Sequence, residues 1–418
     1  MRSSWLNKIR DDGNFVSAAN AGARADSRAQ RGLMIVFSKL NRRIWLMPAF
    51  LLATSAAPAA QLITEPFLGV RHIYRTETTP RPLNIHFVEI DLGAPGLSFE
   101  VTPVGPDPRP IGSNPGYAGL PMETLRQTTR QFANSTGAQI AINASFFSAQ
   151  TIDGLLWSQN LGLTASNGNA YSPWEAGANN DNNFDDTLNI TQSNQASFVK
   201  MPTSIVTGFE TLPNVPLYNT VTGSHRLIQS GQLRTITGGA GDPLSTRSRT
   251  AVGLTSGNAK LLLMTVDEAG GSQGVTLPEL ATLLVSHGAH NAISLDGGGS
   301  TTMVMDFYGD GLASQLVNVS SGGERSVGVN FGVFALPNGD YNENGVVDAA
   351  DYVVWRKTIG ATLGYDAWVK RFGSSASGTG GNSTVPEPLI STCLSLILWI
   401  ACQRTGLRRP TPSQSIVV

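Results

Sequence analysis

Ile293-Ser-Leu-Asp-Gly-Gly-Gly-Ser-Thr-Thr-Met-Val304 decides how the rest of the chain is read. An apolar strand runs into a single carboxylate, Asp296, and then into three successive glycines. Such glycines let a backbone take positive φ and approach a ligand with no Cβ in the way, so that consecutive N–H groups form an anion-binding nest. On this reading Gly297, Gly298, Gly299, Ser300 and Thr301 contact substrate and Asp296 stands at the lip. The plainer alternative is a tight turn joining strands at 291–296 and 300–306.

Other stretches agree in order: Asn143-Ala-Ser-Phe-Phe147, Arg249-Thr-Ala-Val-Gly253, Asp267 followed by Gly274-Val-Thr-Leu-Pro-Glu-Leu-Ala281, and the pair Glu324-Arg325. Together with Asp296-Gly-Gly-Gly-Ser-Thr-Thr-Met these blocks, spread over roughly residues 85–336, resemble the motifs of the phosphodiester glycosidase family. The resemblance implies a hydrolase that cleaves a sugar-1-phosphodiester. Asp296, Asn143 and Asp267 are then the candidate catalytic residues, and Arg249 and Arg325 the candidate phosphate contacts.

The residue chemistry is compatible with that implication. Cleavage at an anomeric carbon needs a water or carboxylate nucleophile and stabilisation of the departing charge. Phosphate leaves well without strong acid help, so one leading carboxylate with guanidinium or N–H donors suffices, and arginine grips phosphate better than lysine does. Asn143 and Asp267 each end an apolar strand, where their side chains can orient a sugar hydroxyl or supply a second carboxylate. Glu279 is explained by a capping box with Thr276. Of five histidines none has metal-site spacing, and only His225, in Gly-Ser-His-Arg, is a site candidate.

Composition sets the class. A net charge of −1 argues against a nucleic-acid partner, and 14% charged residues with 45 glycines suits a loop-rich, β-rich exported protein. Both cysteines, Cys393 and Cys402, lie in the apolar C-terminal stretch, so the body has no disulfide framework and no thiol nucleophile. The expected fold is α+β, a mixed, sheet-rich domain with few helices over residues 61–336. Strands are expected at 83–92, 139–143, 197–200, 226–228, 249–254, 260–266, 292–295, 300–306, 313–319 and 327–335. Helices are expected over 122–133 and 276–288, the second with Leu277, Leu280, Ala281, Leu284 and Val285 as its buried stripe, and 166–195 reads as a long irregular excursion.

The flanks carry their own signals. Residues 1–33 have no periodicity and are expected to be unstructured or untranslated; 34–60 reads as a signal peptide, with basic residues, a short apolar run and a small-residue cleavage site. Asp340-Tyr-Asn-Glu-Asn-Gly-Val-Val-Asp-Ala-Ala-Asp351 has EF-hand spacing: Asp340, Asn342, Asn344, Asp348 and Asp351 offer side-chain oxygens, Val346 a carbonyl, and Gly345 the turn. It resembles the calcium loop of dockerin repeats, implying structural Ca2+ in a segment 338–373 with a helix from Tyr352. A second oxygen-rich loop is lacking, which leaves a cohesin-type partner unsupported. A Gly/Ser linker at 374–384 leads to 385–410, where Val385-Pro-Glu-Pro388, an apolar run and trailing arginines resemble a Pro-Glu-Pro C-terminal sorting segment that holds the protein at the membrane until processed. The sequence thus favours an exported glycosidase on glycan phosphodiesters, requiring no catalytic cofactor. A non-catalytic glycan-binding module of the same fold, or another phosphodiester hydrolase, stays open.

Overall fold

The computed structural model describes residues 60–106, 109–110, 121–174, 184–204, 208–306, 315–319, 321–358 and 365–375. The N-terminal segment 1–33, the expected signal peptide up to residue 59, the expected linker from 376 and the expected C-terminal sorting segment lie outside the described residues.

Strand-forming sequence dominates. Eight strands make one antiparallel sheet in the order Ala60–Phe67, Val70–Glu77, Leu83–Asp91, Lys260–Val266, Arg249–Thr255, Ala289–Ser294, His225–Gln229, Gln232–Leu233. Its central strands are buried on both faces, which explains their near-continuous apolar runs. Val88, Ile90, Leu261, Leu263, Val252, Leu254 and Ile293 face one core, shared with Ile140, Ile142, Met303, Phe331 and Val333 of a five-stranded sheet and with Leu188 and Val221 of another. The intervening Ile85, Phe87, Leu262, Met264, Ala251 and Ala292 pack beneath the helix Leu277–Ser286. The first five-stranded sheet runs Gln315–Leu316, Met303–Met305, Ile140–Asn143, Asn330–Phe334, Ser98–Val101, and the second runs Asn169–Ser172, Thr164–Ser166, Asn219–Gly223, Asp186–Ile190, Ala196–Lys200.

Several expectations need correction. The helix expected over 122–133 begins only at Thr129, because Thr128 and Gln131 form a capping box. The residues before it are strand: Thr124 and Leu125 pair with Ser158 and Trp157. The excursion 166–195 contains two strands, Asn169–Ser172 and Asp186–Ile190; Ser172 and Asn189 donate to the carbonyls of Gly162 and Pro216, Thr187 shares a hydrogen bond with the Thr222 hydroxyl, and these side chains so tolerate burial. In the second helix Leu277, Leu280, Ala281 and Leu284 are buried as expected, whereas Val285 is 40% exposed, turned off the sheet-facing stripe.

The most consequential difference concerns the glycine turn. The strand Ala289–Ser294 belongs to the eight-stranded sheet and Met303–Met305 to a five-stranded one, so residues 295–302 cross between layers instead of closing a hairpin. No helix among the described residues is long and apolar enough to cross a membrane.

Candidate active site

The crossover is held by reciprocal bonds. Asp296 N–H donates to Ala144 O (2.9 Å), Gly298 N–H to Ser248 O (2.8 Å), and Ser248 Oγ to Gly298 O (2.8 Å). A Cβ on Gly297 would stand 2.9 Å from Ser248 O, a backbone atom that cannot swing aside, and Gly298 holds φ +58. These two glycines are therefore dictated by close approach and handedness.

The turn does not present a nest of free donors. Gly297 N–H points to Asp296 Oδ1 (2.9 Å), Gly298 to Ser248 O, Ser300 to Gly297 O (3.2 Å), Thr301 to Gly298 O (3.1 Å) and Thr302 to Asn143 Oδ1 (3.0 Å). The expectation that successive N–H groups cradle an anion is thus corrected: from Gly297 to Thr302 the crossover spends every N–H but that of Gly299 on its own closure. Ser300 and Thr301 are fully buried.

Asn143 lies under the turn, fully buried. Its Nδ2 donates to Asp296 O (2.7 Å), and its Oδ1 accepts from Thr250 Oγ1 (2.7 Å) and Thr302 N–H. One amide therefore ties a strand of each sheet to the backbone of Asp296. That use of its polar atoms makes Asn143 a positioning residue, in place of the sugar or water contact expected of it.

Asp296 remains partly open. Burial pushes its carboxyl up to about 6, opposed by hydrogen bonds from Ser300 and Gly297 and by the positive field of Arg325. Arg325 is exposed; its Nη1 donates to Ser300 Oγ (3.2 Å), and its guanidinium carbon lies 3.8 Å from where a Cβ on Gly299 would stand. A carboxyl with a pKa near neutrality, a hydroxyl on it and a guanidinium on that hydroxyl can exchange a proton and receive developing negative charge. The neighbouring Glu324 does something else: it accepts from Arg130 N–H (2.8 Å) and pairs with Arg130 Nη2 (2.9 Å), at the N-terminus of the helix Thr129–Thr136.

The other candidates are engaged elsewhere. Arg249 is 3% exposed and gives its guanidinium to the carbonyls of Val275 (3.1 Å), Gly241 (2.9 Å), Asp242 (2.7 Å) and Ser245 (2.7 Å), which corrects its expected phosphate role. Burial lowers it to about 10. His225 is buried between Ser224 Oγ (2.9 Å) and Gly238 O (3.0 Å), with a pKa lowered chiefly by burial, so it fixes the loop after its strand rather than meeting substrate. Asp267 is fully buried, its Oδ2 accepting from Val319 N–H (3.2 Å) with His86 Nε2 at 3.8 Å; burial raises it to about 6. A wholly enclosed carboxyl cannot reach a substrate carbon, so the expected pairing with Asp296 is not formed as a catalytic dyad.

Sequence reading missed several contributors. Ser248 clamps Gly298, and Thr250 anchors Asn143. Asn318 joins the turn's exit to Asp267, donating to Thr301 O (3.1 Å), accepting from Met303 N–H (2.7 Å) and hydrogen-bonding the Asp267 carboxyl. Ser248 and Thr250 flank or fall within the Arg249-Thr-Ala block, which was a usable signal. Asn318 had none.

In the C-terminal segment, Asp340 accepts from Asn344 N–H (3.1 Å) and Gly345 N–H (2.7 Å), while Asp351 accepts from Tyr341 (2.8 Å), Asn342 (2.9 Å) and Asp348 (2.7 Å) N–H groups. Both carboxylates are fully buried. Burial and then the field of Asp351 raise Asp340. Asp348 caps the helix Ala349–Thr358 through Ala350 N–H (2.7 Å), and Trp368 Nε1 donates to Asp348 O (2.6 Å). Among the described residues no group of three or more His, Cys, Asp or Glu is arranged to hold a metal. The loop's donor set is different, mixing three carboxylates with the amides of Asn342 and Asn344 and the Val346 carbonyl. These are all hard oxygens, and two of the carboxylates are enclosed side by side, which fits calcium chemistry.

Residues 136–334 match a family model described as phosphodiester glycosidase. Asn143, Arg249, Asp267, Asp296, Ser300 and Arg325 all fall inside the matched segment. Among solved structures, the chain is similar to the zebrafish N-acetylglucosamine-1-phosphodiester alpha-N-acetylglucosaminidase catalytic domain auto-inhibited by its pro-peptide, with 19% identity, 66% of this chain and 87% of that chain covered, and a TM-score of 0.44. It is also similar to a hypothetical protein from Synechocystis, with 17% identity, 67% of this chain and 64% of that chain covered, and a TM-score of 0.44. No curated protein matches the sequence.

Proposed function

We propose that the chain is an exported hydrolase that cleaves the bond between a sugar's anomeric carbon and a phosphodiester oxygen in envelope or extracellular glycans. The observation that carries this reading is the Asp296–Ser300–Arg325 arrangement, lying within the segment that matches the phosphodiester glycosidase model.

Asp296, with its pKa near 6, is largely ionised at neutral pH and still basic enough to take a proton. In this reading it removes the proton of a water attacking the anomeric carbon. The carbon–oxygen bond breaks with its electron pair leaving on phosphate, which becomes a monoester of higher negative charge. Arg325 meets that charge as it develops, the moment at which a preorganised cation contributes most. Asn143 and Ser248 contribute rigidity, the first holding the Asp296 carbonyl and the second clamping the backbone of Gly298 two residues on.

We further assign Ca2+ to the 340–351 loop as a structural ion, held by Asp340, Asn342, Asn344, the Val346 carbonyl, Asp348 and Asp351. Export and retention at the envelope rest on the signal-like residues 34–60 and the Pro-Glu-Pro segment 385–410.

The test is to incubate the purified protein with sugar-1-phosphodiesters, N-acetylglucosamine-1-phosphodiesters among them, and follow released reducing sugar. Release that disappears in Asp296→Asn supports the reading. Tight glycan binding without release supports a glycan-binding module instead.

A further inference from the structure

Arg126 is the residue that neither the motifs nor the proposed mechanism uses. It follows the strand Thr124–Leu125, and its N–H donates to Leu156 O (2.8 Å). The next residue, Gln127, exchanges backbone hydrogen bonds with Val327 (3.2 and 2.9 Å), two residues after Arg325, so the two arginines are carried on neighbouring paired segments. The side-chain Nε of Arg126 is enclosed and has no hydrogen-bond partner among the described residues. Neither Arg126 nor Arg325 has a carboxylate within ion-pair distance among the described residues. Burial and then the charge of Arg325 both lower Arg126 from its ordinary value.

Two guanidiniums close enough to repel, one with an enclosed unbonded N–H, stabilise the fold in no way that these contacts reveal. An anion placed between them reverses the sign of the interaction. Arg325 already reaches the Ser300 hydroxyl that bonds Asp296, so the anion would sit beside the reacting carboxylate.

We propose that Arg126 and Arg325 form a two-armed clamp for the phosphate of the substrate, with Arg126 a specificity-determining contact contributed from outside the segment 136–334 that matches the family model. The clamp rests on the sugar-phosphodiester reading of the site. It takes a phosphate bearing at least two free oxygens, one for each planar fork, and so favours phosphodiesters and phosphate monoesters over neutral glycans.

The experiment is isothermal titration of inorganic phosphate into the full chain and into Arg126→Gln, Arg325→Gln, Arg126→Lys and the surface control Lys200→Gln, with melting curves on each preparation. Arg126→Gln and Arg325→Gln should each weaken phosphate by about tenfold or more, Arg126→Lys should fall between them and wild type, and Lys200→Gln should bind as wild type. Phosphate affinity unchanged in a folded Arg126→Gln, or in Arg126→Lys together with Arg126→Gln, overturns the clamp. Should Arg126→Gln fail to fold, Arg126→Lys decides alone: wild-type affinity there overturns the two-armed contact. The two levels of the argument separate cleanly. Phosphate binding that depends on both arginines, in a protein that hydrolyses no sugar-1-phosphodiester, upholds the clamp and refutes the reaction; hydrolysis with Arg126-independent phosphate binding does the reverse.

Discussion

Replacing Asn143 by alanine separates a residue that builds the site from one that performs chemistry. The side chain makes three hydrogen bonds, to Asp296 O, Thr250 Oγ1 and Thr302 N–H, at 2.7, 2.7 and 3.0 Å, the last two buried and the first partly so. Losing them strands a carbonyl, a hydroxyl and an N–H away from water. At about 1–1.5 kcal/mol for each lost or unsatisfied partner, the variant should be destabilised by about 3–5 kcal/mol. For a domain of this size that is a drop in melting temperature of about 10 °C, at about 2–4 °C per kcal/mol. Asp296 loses one of its two backbone anchors in the same step, keeping only its N–H bond to Ala144 O, and a displacement of about 1 Å at a reacting group costs about a hundredfold in rate. Calorimetric melting and turnover on one preparation, assayed well below the variant's midpoint, provide both readings. A melting temperature within error of wild type with activity reduced more than about a thousandfold would falsify the positioning role and return Asn143 to direct contact with substrate.

Three further outcomes are expected. Asp296→Asn should keep the wild-type circular dichroism and lose about 10²–10⁴ in kcat, and wild-type kcat/KM should fall as pH drops below about 6, where the base becomes protonated; a flat acid limb rules Asp296 out as that base. Asp267 has a folded pKa of about 6 against 3.8, so the fold favours its neutral form: that contribution is present below about pH 4 and is lost as pH rises through 6, on the order of 3 kcal/mol. Asp267→Asn should therefore gain melting temperature relative to wild type at pH 8 but not at pH 4, with hydrolysis retained, and a loss of turnover in a well-folded variant would contradict its exclusion from the chemistry. Chelating calcium should change the fluorescence of Trp355 and Trp368, which pack in the segment closed by the Asp348–Trp368 bond, while turnover stays constant; chelation that abolishes turnover would put a metal in the catalytic domain.

How much of this was legible in sequence follows from the range over which each feature is determined. The capping box Thr276–Glu279, the alternation of Leu83–Asp91 and the apolar runs at Arg249–Thr255 and Lys260–Val266 are local, and each appears where its residues require it. Asp296 and Arg325 could be named because they sit in recognisable blocks. The sequence could also say that glycine was needed after Asp296. It could not say why, since the need comes from Ser248 O, which only the packing of two distant strands brings to within 2.9 Å of a Cβ.

The roles of polar side chains were settled by tertiary structure alone. Arg249, Asp267 and His225 have the residue types that chemistry uses, and nothing in their neighbours along the chain reveals that four carbonyls, a buried amide network and a loop carbonyl absorb them. A donor or acceptor is available only when no nearer group has satisfied it, and which groups are near depends on contacts between residues far apart in sequence. For the same reason Arg126 was invisible: its meaning lies in a second guanidinium some 200 residues along the chain, carried beside it by the Gln127–Val327 pairing. Sequence therefore showed the elements that local pattern determines and which residue types were available for chemistry, while the meeting of two sheets at the 295–302 crossover decided which of those residues still have a free hand.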